Sequence, residues 1–124
     1  MWLYIALGGA IGAVSRYGVT LGTARLGATG FPYATLTVNV VGSFLIGLFV
    51  AWIGGRTEIN PVLRPLIQVG FLGALTTFST FSLDALILLE QGRFTQAGLY
   101  IAASVLVCLD ACFIGLLAGR SLGF

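Results

Sequence analysis

Gly70-Phe71-Leu72-Gly73-Ala74-Leu75-Thr76-Thr77-Phe78-Ser79-Thr80-Phe81-Ser82 lies in the middle of an apolar stretch from Leu63 to Leu89. That stretch is 27 residues long. As a straight helix it would span about 40 Å, against a bilayer core of about 30 Å. Its centre carries two glycines and five Ser/Thr residues. Glycine is poor in a helix interior, and hydroxyls can satisfy backbone groups freed by an interruption. The segment therefore predicts a broken helix. Non-helical backbone at membrane depth persists only where protein buries it or where it lines a watery cavity. Such breaks offer the carbonyls of one half-helix and the N–H groups of the next as ion sites. A kinked packing helix with small interfacial residues is the alternative.

The composition around this segment supports a membrane setting. The chain has 124 residues, of which 58% are hydrophobic and 8% charged, and its mean hydropathy is +1.05. Soluble domains carry about 25% charged residues. Six arginines and four acidic residues cannot coat a 13.0 kDa globule. There is no His and no Lys, which excludes His-based catalysis, His metal ligands, Schiff-base chemistry and P-loop chemistry. The arginines are scattered, so no nucleic-acid patch exists. No Ser has a plausible base, and the reading is of a protein that is not an enzyme.

Four spans are expected, at about 2–21, 35–53, 63–89 and 94–117, forming one transmembrane domain over residues 1–124. The connections carry the breakers: Gly27, Gly30 and Pro32, then Gly54 to Pro61, then Glu90 to Arg93. The first span has no basic residue ahead of it and three more spans follow it, which argues against a cleaved leader.

Polar residues recur at helical spacing. Thr35, Asn39 and Ser43 form one stripe on the second span. A buried amide is costly unless bonded, so Asn39 faces either a partner helix or a pathway. Tyr100, Ser104, Cys108 and Cys112 form a second stripe, on the fourth span. The two cysteines read as small, reduced packing residues, because the sequence offers no further ligands for a metal pair. Phe78 and Phe81 stand at i, i+3. Aromatic edges are positive, so two rings beside hydroxyl and amide donors suit a small anion as well as a plain core. Gly8 and Gly12 permit a close helix approach. Arg16 shares their face about one turn inside the span end, where it either snorkels or lends positive potential to a vestibule.

Three segments together resemble the CrcB/Fluc family of fluoride channels: Gly8 to Tyr17 (GGAIGAVSRY), Thr35 to Phe44 (TLTVNVVGSF) and Gly70 to Ser82. The resemblance covers nearly the whole chain and is most specific in the third segment. It implies an all-α integral membrane protein with four transmembrane helices per protomer, the third broken at the midplane. It also implies an antiparallel, dual-topology homodimer with two pores, passively exporting fluoride from a prokaryotic cell across the inner membrane and so limiting its toxicity. Asn39, Phe78 and Phe81 match the family's pore-lining amide and aromatic box. Ser79, Thr80 and Ser82 match its hydroxyl region, and Tyr100 and Ser104 its fourth-helix pore residues. Gly73 and Thr76 match the break whose carbonyls, from both protomers, hold a central Na⁺. Arg16 matches a basic residue near a pore mouth.

Departures from the pattern are Asp84 in place of a common Glu, Cys108 in place of a common hydroxyl, and Asp110 within the fourth span. Asp110 is expected to be neutralised by Arg16 of the opposite protomer. The arginines independently permit dual topology: Arg56, Arg64 and Arg120 on one side face Arg25 and Arg93, with Arg16, on the other, which leaves the positive-inside rule little to read. The rival reading is a small multidrug-resistance-type, proton-coupled transporter. It would need a carboxylate early in the first span, and none is there. A purely structural subunit would not need Asn39, Phe78 and Phe81 around a break.

Overall fold

The computed structural model describes residues 1–28 and 30–122, and every regular element among them is helical. Helix α1 spans Trp2–Arg25 and α2 spans Tyr33–Gly54. The third stretch is composite. It starts as a π-helix, Arg64–Leu72, and continues as a single α turn, Gly73–Leu75; these together are α3. After the interruption at Thr76 and Thr77, α4 spans Phe78–Glu90 and α5 spans Phe94–Leu122.

The helix ends follow local chemistry. Past α1, Gly27 adopts φ 79°, and past α4, Gly92 adopts φ 74°. A left-handed residue just beyond a helix is the usual glycine stop. Pro32 precedes α2 and cannot continue a ladder backwards. Beyond α2, the Arg56 guanidinium stacks 4.2 Å from the Trp52 ring centroid. The expected ends differ most at α1 and α5, which run four and five residues beyond Leu21 and Leu117. Arg16 is therefore nine residues from its helix end, about 13 Å at 1.5 Å per residue.

Among the described residues, three helical stretches are long and apolar enough to cross a membrane: Tyr33–Gly54, Arg64–Glu90 and Phe94–Leu122. The 24 residues of α1 have the length, but Gly, Ser and Arg16 dilute their hydropathy. The π-helical segment answers the excess length of the third stretch. A wider coil places more residues in each turn, so the same chain reaches less far along the axis.

Glycine sets how these helices pair. A Cβ added at Gly8 would come 2.1 Å from the Leu66 carbonyl oxygen, and one at Gly12 would come 2.2 Å from that of Phe71. Gly70 answers from α3, where a Cβ would lie 2.8 Å from the Ile5 oxygen. The expected close approach at Gly8 and Gly12 is thus present. Gly70 is packed against α1 and does not itself form the break. Farther along α1, Arg16 meets Ala74, so α1 and α3 run parallel. The second close pair is α2 with α5. Cβ atoms at Gly115 and Gly119 would lie 2.1 Å from the Phe44 oxygen and 2.5 Å from the Leu48 oxygen. The register again rises on both helices together, so this pair is parallel too.

Candidate functional site

The site is the interruption between α3 and α4. Thr76 (φ −86°, ψ 158°) and Thr77 (φ −154°, ψ 123°) are both extended. An extended pair cannot continue the helical ladder, so its polar groups need other partners. The first half closes on itself: the Thr76 N–H and Oγ1 both donate to the Leu72 carbonyl, at 3.2 and 3.0 Å. The second half opens with Thr77 as its cap, whose Oγ1 accepts the Thr80 N–H at 3.1 Å. Thr77 Oγ1 also lies 3.2 Å from Ser79 Oγ.

Asn39 completes the interruption from α2. Its Oδ1 accepts the Thr77 N–H at 2.8 Å, and its Nδ2 donates to the Thr77 carbonyl at 3.1 Å. One carboxamide thus satisfies both main-chain groups of one residue, as a paired strand would. Turned toward Asn39, the Thr77 N–H is lost to the Gly73 carbonyl, its i−4 partner in a continuous helix. The next carbonyl, of Ala74, accepts Arg16 Nε at 3.1 Å. Gly42 makes room for all this, because a Cβ there would come 2.2 Å from Thr76 Cγ2.

Beside the break lies an open cleft of about 500 Å³, walled by α2, α3, α4 and α5. Asn39, Gly73, Thr76, Phe78, Phe81 and Ser104 all line it. Ser43, one turn beyond Asn39 on the expected stripe, lines it as well. The Ser104 Oγ is buried with no hydrogen-bond partner among the described residues. Phe78 is 78% exposed, and its ring centroid is 5.5 Å from that of Phe81. The aromatic series continues from Phe81 to Tyr100 at 5.2 Å and on to Phe31 at 5.4 Å, edge to face.

Other expected site residues lie off the cleft wall. Ser79 is exposed and faces Thr77. Ser82 Oγ donates back to the Phe78 carbonyl of its own helix, at 2.9 Å. Thr80 is half-buried and contributes its main-chain N–H to the cap. Tyr100 is fully buried, and its hydroxyl donates to Asp84 Oδ2 at 3.1 Å. The same oxygen accepts Thr35 Oγ1 at 2.7 Å. Asp84 is thus the hub of a Thr35–Asp84–Tyr100 cluster linking α2, α4 and α5, a role that the sequence reading missed. The signal was spacing, since Asp84 follows Phe81 by three residues and shares its face. Arg16 lies against the break, and Asp110 is exposed on α5.

A family model described as CrcB-like protein, Camphor Resistance (CrcB), matches residues 3–116. The chain belongs to the CrcB family. Among its CrcB relatives, the fluoride-specific ion channel FluC of Photobacterium profundum is 53% identical over 113 residues, covering 90% of this chain and 88% of the relative. The protein of the same name from Vibrio parahaemolyticus is 52% identical over 112 residues, covering 90% and 88%. That from Shewanella amazonensis is 50% identical over 113 residues, covering 91% and 90%. At such identity the CrcB scaffold is common to all of them, and the resemblance carried by the three sequence segments holds across the chain.

Proposed function

We propose that the chain is a passive, fluoride-selective channel of the cell membrane that releases fluoride from a prokaryotic cell. The observation that carries this reading is the helix break completed by Asn39 and facing the Phe78–Phe81 pair. Fluoride is small and strongly hydrated, so a pore must replace its water with many donors. Asn39 spends one Nδ2 proton on Thr77 and retains the other. Ser104 has a hydroxyl without a protein partner on the cleft wall. The ring edges of Phe78 and Phe81 add partial positive charge. Arg16, bonded to Ala74, adds positive potential beside the break, deeper than the pore mouth expected for it, without standing on the cleft wall. Ser79 and Thr80, at the start of α4, keep polar groups beside the break, while Ser82 and Tyr100 spend their hydroxyl protons on Phe78 and Asp84 and support the path from behind its wall. The relatives' names agree with this chemistry.

The working unit in this proposal is one domain of four spans, with α1 as the fourth crossing, the break near the midplane, and two copies inserted in opposite directions. The arginine balance supports it, with Arg56, Arg64 and Arg120 against Arg25 and Arg93. Gly73 and Thr76 of both copies are the proposed holders of a Na⁺ on the dimer axis. Their fit rests on oxygen chemistry, since hard cations take oxygen ligands. The Gly73 carbonyl has lost its helical donor to Asn39, and Gly73 is exposed in the single chain. A bound Na⁺ would supply a fixed positive charge that ties two breaks together.

The multidrug-transporter reading lacks its central residue, because α1 carries no acid. Purified protein in liposomes should dissipate a fluoride gradient and leave a chloride gradient intact. Equal chloride flux, or proton-coupled transport of a cationic drug, would overturn the proposal.

A further inference from the structure

Cys108 and Cys112 are free thiols, each half-buried, and both line the cleft beside the break. They continue the stripe that starts at Ser104, at steps of four residues, so the three side chains share one face of α5. Ser104 lines the same cleft with its buried, unpartnered Oγ, 7% exposed as a residue. A helical i, i+4 pair separates its Cβ atoms by about 5–6 Å. Two metal–thiolate bonds of about 2.3 Å, placed end to end, span about 4.6 Å and fit within that reach.

The ligand count selects the metal. A structural zinc needs four ligands, and among the described residues no group of three or more His, Cys, Asp and Glu comes together. A soft d¹⁰ ion that coordinates linearly needs only two, and thiolates select soft ions. We propose that Cys108 and Cys112 form a two-thiolate site for a soft, linearly coordinating cation of the Hg²⁺, Ag⁺ or Cu⁺ class, on the wall of the cleft. In binding Hg²⁺, two S–H bonds give up their protons to water and two S–metal bonds form, with no change of oxidation state. The metal takes up space beside the break, so its occupancy slows ion passage; this consequence rests on the channel reading.

The test uses the full chain in detergent, titrated with Hg²⁺. The wild type should release two protons per bound ion, and X-ray absorption at the mercury edge should read two sulfur ligands. C108S and C112S should each read one sulfur and release one proton. Each should also lose roughly a hundredfold in retention against a competing monothiol, the usual gain from linking two binding groups. One sulfur per mercury in the wild type, or unchanged retention in both variants, would overturn the site. In liposomes, Hg²⁺ should slow fluoride efflux by the wild type but not by the double variant, each compared with its own metal-free rate. Two-sulfur binding without slowing would refute the link to the ion path. Two-sulfur binding in a protein with no metal-free fluoride efflux would remove the channel reading and leave the site standing. Normal efflux with one-sulfur binding would do the reverse.

Discussion

Asn39 substitutes for a piece of main chain. In a continuous helix, Thr77 would find its partners within its own segment; here both come from one amide on α2. Asn39→Leu would leave a part-buried N–H and C=O unpaired, each costing about 1–2 kcal/mol, the lower part of the range for a buried group. Its melting point in detergent should fall, corresponding to a loss of about 2–4 kcal/mol, and fluoride efflux should cease. Unchanged melting with normal efflux would show that water replaces the amide. The rings allow a second residue-level prediction. Phe78→Ile and Phe81→Ile keep bulk and apolarity but remove a quadrupole worth about 1 kcal/mol per ring. Each should lower fluoride efflux about fivefold, the equivalent of about 1 kcal/mol, with oligomeric state unchanged. Normal flux in both would make the pair plain packing. At this scale the sequence announced Asn39, Phe78, Phe81 and Ser104 through polarity and spacing. It did not announce that Ser82 would turn back on Phe78 or that Tyr100 would be committed to Asp84. A hydroxyl bonds to whichever acceptor its rotamer reaches, and rotamers depend on tertiary neighbours.

Among the elements, the interruption was legible because 27 residues overfill a bilayer and the Ser/Thr cluster marks where backbone groups can be satisfied. The π-helix before it was not legible, since no composition distinguishes i→i+5 from i→i+4 bonding in an apolar run. The glycines were half legible. Gly8 and Gly12 stand out in the sequence as a contact face, whereas Gly115 and Gly119, at the same spacing in a run of apolar residues, show their contact only in the structure. Position separates structural glycines from idle ones, which leads to a paired prediction. Gly47→Ala and Gly115→Ala would drive a Cβ to 2.2 and 2.1 Å from main-chain oxygens of Cys112 and Phe44. Main-chain atoms cannot rotate aside, so α2 and α5 must part, at about 1–3 kcal/mol. Gly18→Ala and Gly22→Ala meet nothing within 4 Å and should leave stability level or raise it by up to about 1 kcal/mol through helix propensity. Thermal unfolding of the four variants in one detergent checks both halves. Equal effects in all four would mean that the α2–α5 contact is looser than described.

At the scale of the whole molecule, the exposed Gly73 and the near-balanced arginines bear on assembly. If two copies meet head to tail across the break, each end of the chain should be labelled from both sides of the membrane. A single-cysteine label at residue 1, in a C108S/C112S background, should divide about evenly between inside and outside under the positive-inside rule. Labelling from one side only would exclude dual topology. The proposed axial Na⁺ gives another readout. Liposomes prepared with a bulky organic cation in place of Na⁺ should show slower fluoride efflux, restored by adding Na⁺ back. Efflux indifferent to the cation would remove the ion from the account. The membrane class was open to reading from composition alone, because 8% charge cannot solvate a globule of this size. Assembly was not, since a single chain's pattern says which faces are apolar and not which of them meet.

The interleaved helix pairing has a consequence for how the polypeptide could be made. Each close glycine contact joins residues before Thr57 to residues after it: Gly8 and Gly12 with α3, Gly42 with Thr76, Gly47 with Cys112, and Gly115 and Gly119 with α2. The linker Gly54 to Pro61, exposed over most of its length, takes no part in them. Translated as two separate messages, residues 1–57 and 58–124 would each be a hairpin with its main adhesive surface unused. Each half is then the natural partner of the other. Cells making both halves should recover resistance to fluoride, whereas cells making either alone should remain sensitive.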